Sequence, residues 1–99
     1  MTTRVVADCY IRPDAVEEFL AAARELRDLT HANDAGCLAY DLFRDTADAE
    51  HLTMIEEWES KDALDAHIAS AHFQRLFPAF GAANDPARPN VITIYEPAL

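Results

Sequence analysis

The chain has 99 residues and a formal net charge of −10. It predicts one domain spanning residues 1–99, and it argues against a nucleic acid partner, because duplex binding needs clustered basic residues. A hydrophobic fraction of 51% excludes a disordered chain. No apolar run approaches the roughly 20 residues that cross a bilayer, and residues 1–4 lack the apolar core of a signal peptide, so we expect no membrane partner and a cytoplasmic location.

The first part of the chain predicts a strand followed by a helix. Apolar residues alternate along residues 4–11, as they do in a half-buried strand. Pro13 and Asp14 then open a helix with an apolar stripe at helical spacing, and Asp14 with Glu17 matches the spacing of a capping box. The turn-forming cluster at residues 33–36 ends this helix.

The middle of the chain predicts an antiparallel hairpin. Residues 37–44 form its first strand and residues 52–58 form its second, each with apolar side chains at alternate positions. The polar, turn-like segment at residues 45–50 is short, and a short connection implies antiparallel pairing.

The last part predicts a second helix and a fourth strand. Ser60 is the expected N-cap of the helix, which continues to Gly81 with a kink or an end at Pro78. Residues 91–96 form the fourth strand. The resulting order, β-α-β-β-α-β, is the ferredoxin-like α+β arrangement, in which a four-stranded antiparallel sheet carries both helices on one face.

The second face of this sheet has no predicted cover. It carries apolar residues as well, because several strands are apolar on both sides. An uncovered apolar face of that extent exceeds what a monomer usually exposes. We therefore expect a homodimer with twofold symmetry that packs sheet against sheet.

Two of the four histidines lie in the second predicted helix, and imidazole is the side chain that most readily moves protons near neutral pH. His67 is on the inward side, so it either lines a cavity or is a core histidine with a hydrogen-bond partner. His72 lies nearer the helix edge, where it either acts with His67 or hydrogen-bonds a nearby loop. The other two, His31 and His51, are expected at a helix end and in a solvated turn.

Aromatic and acidic residues near these histidines leave further alternatives open. Trp58 ends the third predicted strand, where it is either a core aromatic or the wall of a pocket for a planar ligand. Tyr40 shares a strand face with leucines, so packing alone also explains it. Glu56 and Glu57 point to opposite faces of one strand, and neither face suits an unpaired carboxylate. An ion pair with an arginine such as Arg44 is one explanation, and a catalytic acid with a raised pKa is the other.

Metal and nucleotide sites are not expected. His67 and His72 are five positions apart, whereas the helical zinc motif spaces its histidines four apart. Two glycines are too few for a phosphate-binding loop or a dinucleotide fingerprint. Cys9 and Cys37 lack C-x-x-C spacing and lie in strand-like segments, which is typical of buried structural thiols. Any activity is therefore expected to need no cofactor and no metal.

Three segments in series form a specific pattern: EWES at residues 57–60, ALDAH at 63–67 and SAHF at 70–73. Together with residues 13–19 and 36–40, they make the chain similar to the antibiotic biosynthesis monooxygenase family, and in particular to its small quinol-monooxygenase-like members. The resemblance covers nearly the whole chain.

This resemblance implies a dimeric α+β barrel built on the ferredoxin-like fold. It also implies cofactor-independent oxidation of a small phenolic or quinol-type aromatic substrate by molecular oxygen, beginning with deprotonation of the electron-rich ring. The predicted site has two parts. Its catalytic residues are His67 and His72, and its substrate-binding residues are Trp58, Tyr40, Phe73 and Glu57.

Two other functions stay open at this point. A branch of the same superfamily isomerises a phosphorylated signalling sugar derivative, although the scarcity of positive charge disfavours an anionic substrate. A non-catalytic dimeric module for ligand binding or stress response also fits the pocket. Haem degradation is disfavoured, because Ala7 and Asp8 occupy the strand position where those enzymes have Asn, and Phe77 lies near the position of their haem-ligating His.

Overall fold

The computed structural model describes residues 1–99 and contains one four-stranded antiparallel sheet. Its strands are β1 (Thr3–Tyr10), β2 (Cys37–Asp45), β3 (Asp48–Trp58) and β4 (Val91–Tyr95). The order across the sheet is β2-β3-β1-β4, with β3 and β1 at the centre. This topology confirms the predicted ferredoxin-like α+β fold.

Four helices pack on the sheet: α1 (Val16–Asn33), α2 (Lys61–Ile68), α3 (Ala71–Leu76) and α4 (Pro78–Ala82). A 3-10 turn at Pro13–Ala15 precedes α1, whose N-cap makes no side-chain hydrogen bond. The capping box predicted for Asp14 and Glu17 is therefore wrong. Asp14 lies inside the 3-10 turn, where its carboxylate accepts a hydrogen bond from Arg12 Nε at 3.3 Å.

The second predicted helix is in fact three short helices. α2 begins as predicted after Ser60, whose hydroxyl accepts a hydrogen bond from the Ala63 backbone N–H at 3.1 Å. It already ends at Ile68, well before the predicted end. Pro78 begins α4, because its ring cannot continue the hydrogen bonding of α3 but suits the first position of a new helix.

Ser70 causes the break between α2 and α3. Its Oγ accepts a hydrogen bond from the Phe73 backbone N–H at 3.2 Å and donates one to the His67 carbonyl at 2.6 Å. One side chain thus ends one helix and caps the next. His67 and His72 consequently belong to different helices, so the spacing rule for a single helix does not apply to them.

Gly36 fixes the turn between α1 and β2 against the start of α2. Its φ of +80° lies in the left-handed region that favours glycine. A Cβ at this position would lie 2.8 Å from Ala63 Cβ, which is closer than real Cβ contacts come. The Gly36 carbonyl also accepts a hydrogen bond from the Glu59 backbone N–H at 2.8 Å. The turn that carries Asp34 is therefore held beside the second helical segment.

The inner face of the sheet carries the core, but the helices leave part of it uncovered. Ile92 and Ile94 of β4 pair with Ala7 and Val5 of β1, so they point to the same face as these buried residues. Both isoleucines are nevertheless about half exposed, at 51% and 49%. The helical layer therefore leaves an opening at the β4 edge.

The outer face of the sheet has no covering layer. Phe43 on β2, Ile55 on β3, and Val91 and Tyr95 on β4 are all about half exposed. The apolar residues that the sequence predicted on this face are present, but they share it with the Arg4–Glu57 ion pair and with His51 and Asp8. None of the four helices combines the length and the apolar composition that a bilayer crossing requires.

Candidate active site

A cavity of about 90 Å³ lies between the inner face of the sheet and the helices α2 to α4. Twelve of its fifteen lining residues are hydrophobic, and no lysine or arginine is among them. Its polar groups come from Tyr40, Glu56, His67 and Asn90. The half-exposed Ile68 and the two isoleucines of β4 also line it, so its open side faces the β4 edge.

His67 is the best-defined polar group of this cavity. Its side chain is buried, and its Nδ1 lies 2.5 Å from Asp34 Oδ2. Because a carboxylate only accepts hydrogen bonds, the ring proton of neutral His67 lies on Nδ1, and Nε2 carries the free lone pair. Nε2 is buried and has no hydrogen-bond partner in the chain.

Burial lowers the pKa of His67 below its ordinary value of 6.5, even though the hydrogen bond and the charge of Asp34 act in the opposite direction. The charge of His72 lowers it slightly further. The imidazole is therefore neutral at neutral pH and able to accept a proton at Nε2.

His72 lies on the other side of Asp34 and does not line the cavity. Its Nε2 is 2.8 Å from Asp34 Oδ1, which is ion-pair distance, but the contact is not aligned as a hydrogen bond. The structure therefore brings the two predicted catalytic histidines to one carboxylate. It gives only His67 a contact with the cavity.

Asp34, His67 and His72 are also the one group whose atoms can hold a metal ion, since their donor atoms lie within 4.8 Å of one another. A tetrahedral ion with bonds of roughly 2.0–2.1 Å keeps its ligand atoms about 3.3 Å apart. The 2.5 Å between His67 Nδ1 and Asp34 Oδ2 is instead a hydrogen-bond distance. As arranged here, the group is a hydrogen-bonded Asp–His pair with a second histidine beside it.

Three aromatic rings surround the His67 imidazole. Their centroids lie 4.7 Å from it for Trp58, 5.0 Å for Tyr40 and 5.0 Å for Phe73. Tyr40 and Phe73 line the cavity as well. Trp58 is fully buried and does not line it, so it supports the imidazole from behind and is not a wall for a ligand.

Glu56 is the second titratable group of the cavity. It is 7% exposed, and its Oε1 accepts a hydrogen bond from Trp58 Nε1 at 2.9 Å. Burial raises its pKa from 4.5 to about 7, although the Trp58 hydrogen bond acts to lower it. The carboxyl is therefore partly protonated at neutral pH.

Glu57, which the sequence analysis assigned to substrate binding, lies elsewhere. It points to the outer face and forms an ion pair with Arg4 at 2.5 Å. Because side chains alternate along β3, Glu56 points to the opposite, inner face and lines the cavity. The expected ion pair with an arginine is found for Glu57, although the arginine is Arg4 and not Arg44. Glu56 has no arginine partner and accepts a hydrogen bond from Trp58 instead.

The two remaining histidines lie outside the cavity. His31 Nε2 is 2.9 Å from the Tyr40 carbonyl. His51 lies in β3 because the actual turn is only residues 46–47, so its expected place in a solvated turn is wrong. Its ring nitrogens lie 2.9 Å from Asp45 and 2.7 Å from Asp8 on the outer face.

The cysteines are free thiols, Cys9 buried and Cys37 half-buried. Burial raises the pKa of Cys9 to about 12 and that of Cys37 to about 11. Neither is a thiolate at neutral pH, so neither is an activated nucleophile. This agrees with the structural role predicted for them.

Comparison with known proteins decides the family. Residues 2–79 match the antibiotic biosynthesis monooxygenase family. The chain belongs to this family. The match covers all six predicted site residues, and it confirms the resemblance noted in the sequence.

Curated relatives of the family agree with this assignment. The chain is 35% identical over 72 residues to Putative monooxygenase YcnE of Bacillus subtilis (strain 168), a match that covers 71% of this chain and 75% of that protein. It is 33% identical over 93 residues to Putative monooxygenase Rv0793 of Mycobacterium tuberculosis (strain ATCC 25618 / H37Rv), with coverages of 94% and 88%.

A solved structure shares the fold along the whole chain. The crystal structure of an antibiotic biosynthesis monooxygenase superposes with a TM-score of 0.87 at 36% identity and covers 98% of this chain and 99% of the other. The ferredoxin-like fold of this family member is thus the fold of solved relatives.

Sequence reasoning missed Asp34. It was interpreted as one residue of a turn, and it is 33 positions from His67. No local pattern marks a carboxylate that meets its partner only through the tertiary fold. Glu56 was considered, but alternation along a strand does not say which of two opposite faces the helices cover.

Proposed function

We propose that this chain is a cofactor-independent monooxygenase that oxidises a small phenolic or quinol-type aromatic substrate with molecular oxygen. The observation that carries the proposal is the buried, unpartnered Nε2 of His67 beside an apolar cavity, with Nδ1 held by Asp34. In the proposed mechanism, Nε2 takes the phenolic proton, and the electron-rich anion then reacts with oxygen.

Asp34 makes His67 suitable for this role in two ways. It fixes the tautomer with the lone pair on Nε2, and its negative charge stabilises the imidazolium that forms when Nε2 is protonated. The lowered pKa of His67 keeps the ring neutral before substrate binds. A base poised in this way matches what deprotonation of a phenol near neutral pH requires.

The composition of the cavity favours a neutral aromatic substrate over a phosphorylated one. Twelve of fifteen lining residues are hydrophobic, and none is a cation that would bind a phosphate. The isomerase of a phosphorylated sugar derivative, which the sequence left open, therefore has no support in this site.

A quinol supplies all the electrons that the reaction needs. In the step proposed here, one quinol and one O₂ give a hydroxyquinone and water: a C–O bond forms to one oxygen atom, and the other leaves as water. The substrate loses four electrons and O₂ gains four, so no external reductant enters. This balance is consistent with a chain that has no nucleotide-binding motif.

The size of the cavity limits how the substrate binds. An apolar cavity of roughly 150 Å³ holds a benzene ring, and this one measures about 90 Å³. A single ring therefore extends into the open side at β4. We propose that the reactive oxygen is inside, near His67, and that bulkier substituents lie at the opening beside Ile92 and Ile94.

Oxygen uptake with a panel of hydroquinones and anthrones tests the proposal. The wild-type protein is expected to consume oxygen above the background autoxidation rate. His67→Asn retains a donor to Asp34 but has no titratable base, so the catalysed rate should fall by roughly 10²–10⁴-fold. His31→Asn is the matched control outside the cavity and should leave the rate unchanged.

Uptake equal to background for every member of the panel would reject the oxidase. Binding of the same compounds without uptake would instead identify the non-catalytic ligand-binding module. Circular dichroism of both variants separates loss of chemistry from loss of folding.

We further propose that the chain is a homodimer that packs outer face against outer face. The half-exposed Phe43, Ile55, Val91 and Tyr95 support this pairing, because they all lie on the face of the sheet that no helix covers. Light scattering should give twice the 11.0 kDa chain mass. Ile55→Asp should yield monomers, whereas Ile68→Asp on the helical side should not; a monomeric wild type would refute the pairing.

A further inference from the structure

Glu56 is a buried carboxyl group without a cation. Its neighbours on either side in the sheet are Tyr40 of β2 and Val5 of β1. Its one hydrogen bond comes from Trp58 Nε1, and no charged group contributes to its environment. A carboxylate in such a place is costly, so the neutral acid is the form that the surroundings accept.

The Trp58 contact determines which oxygen carries the proton. The indole N–H only donates, so Oε1 must accept. The hydroxyl hydrogen of the neutral acid therefore belongs on Oε2. Glu56 lines the cavity, and Oε2 has no partner of its own in the chain, so the acid presents a hydrogen-bond donor to a ligand.

We propose that Glu56 is a specificity residue that donates a hydrogen bond from Oε2 to an acceptor oxygen on the bound ring. Together with the base at His67, this makes the preferred ligand an aromatic with two oxygens: one that gives its proton to His67 and one that accepts from Glu56. The inference rests on the proposed function and narrows its substrate to the quinol type.

The other titratable groups around Glu56 gain or lose their protons at pH values different from that of Glu56. Tyr40 and Cys37 face it from β2, Cys9 lies on β1 and His67 lies on α2. The pKa of Cys37 is about 11, that of Cys9 is about 12 and that of Tyr40 is raised well above 10 by burial. His67 titrates below 6.5. Between pH 6.5 and 9, Glu56 is therefore the cavity group that changes its protonation.

A pair of isosteric probes isolates this hydrogen bond without any turnover. Acetophenone accepts through its carbonyl and donates nothing, whereas α-methylstyrene has the same shape and no acceptor. Binding of both is followed by NMR titration at pH 6.5 and pH 8.5. The wild type should prefer acetophenone by roughly three- to tenfold at pH 6.5, as one buried hydrogen bond provides, and lose the preference at pH 8.5, where an ionised Glu56 cannot donate.

Two substitutions and one control sharpen the test. Glu56→Gln keeps an N–H donor that does not titrate, so the preference should persist at both pH values. Glu56→Leu should bind both probes equally. Glu57→Gln, on the outer face of the same strand, should behave like the wild type.

A preference that persists in Glu56→Leu, or that persists in the wild type at pH 8.5, would overturn the inference. So would failure of both probes to bind the wild type, since the cavity would then not admit a ring. Oxygen uptake does not enter this measurement. A ligand preference without oxidation would thus reject the proposed function alone, and oxidation without a preference would reject the role of Glu56 alone.

Discussion

On each side of the sheet, one histidine contacts aspartate, but the pKa values of the two histidines shift in opposite directions. On the inner face, His67 has Asp34 on one nitrogen and nothing on the other, and burial lowers its pKa. On the outer face, His51 has Asp45 and Asp8 on its two nitrogens, and these hydrogen bonds raise its pKa.

The difference lies in solvation and in hydrogen-bond satisfaction, because the residue types are the same. The side chain of His51 is 19% exposed, and each of its two ring nitrogens contacts an aspartate. These two contacts stabilise the protonated ring and leave no nitrogen for a ligand. His67 is buried and half partnered, so one nitrogen remains for a ligand. A histidine–aspartate contact alone therefore does not identify a reactive imidazole; the unoccupied nitrogen does.

Exchanging one aspartate on each face tests this difference most strongly. Asp34→Asn allows the amide to donate to Nδ1, which moves the imidazole proton to Nε2 and removes the base. Oxygen uptake is expected to fall by about 10²–10⁴-fold, the range that general base catalysis contributes. Asp8→Asn changes the same chemistry on the outer face and should alter the rate less than about twofold. Equal losses in both variants would contradict a special role for the inner pair.

Glu56 and Glu57 should also differ in how they change the free energy of unfolding with pH. The folded-state pKa of Glu56 is about 7, above its ordinary value of 4.5. The stability that its neutral form contributes is therefore complete below pH 4.5, declines as pH rises and is lost once pH passes about 7. Relative to Glu56→Gln, the wild type should lose roughly 3 kcal/mol across this interval.

Urea unfolding of both proteins from pH 4.5 to 8.5 measures this difference. Because His67 titrates in both proteins, its own effect cancels in the comparison. Glu57→Gln should retain the wild-type slope. A constant difference between Glu56→Gln and the wild type at every pH would mean that Glu56 is not buried as described.

The histidine resonances offer a direct but smaller test of the comparison. NMR titration of the imidazole Cε1 protons should give a midpoint for His51 above 6.5 and one for His67 below 6.5. The order of the two midpoints is decisive. The reverse order would show that burial does not dominate the electrostatics of His67.

The smallest expected effect concerns metal. The distance between His67 Nδ1 and Asp34 describes a hydrogen bond, so incubation with EDTA is expected to leave oxygen uptake within about 10% of its starting value. Metal analysis of the purified protein provides the second readout. If EDTA abolished oxygen uptake and zinc or iron restored it, Asp34, His67 and His72 would be identified as a metal site.

The sequence predicted the architecture well, because strands and helices leave local periodic signals. The alternation of β1 and β3, the cap at Ser60 and the order of elements all follow from neighbours in the chain. The break before α3 also had a local signal, since Ser70 followed by Phe73 three residues later is a helix start like that at Ser60.

The candidate site was only partly predictable. His67, Tyr40 and Phe73 were identified and do line the cavity, but Asp34 and Glu56 needed the tertiary structure. A helix-end turn meets the second helical segment only after the chain has folded. The pKa of Glu56 likewise depends on burial, which alternation along a single strand cannot assign to one face.

The position of Trp58 has a practical consequence. It is the one tryptophan of the chain, its indole N–H is bonded to Glu56, and its ring lies 4.7 Å from that of His67. The protein thus carries an intrinsic fluorophore in contact with both titrating groups of the cavity. Its emission will report each proton that either group gains or loses and each ligand that disturbs them, with no label and in a single cuvette.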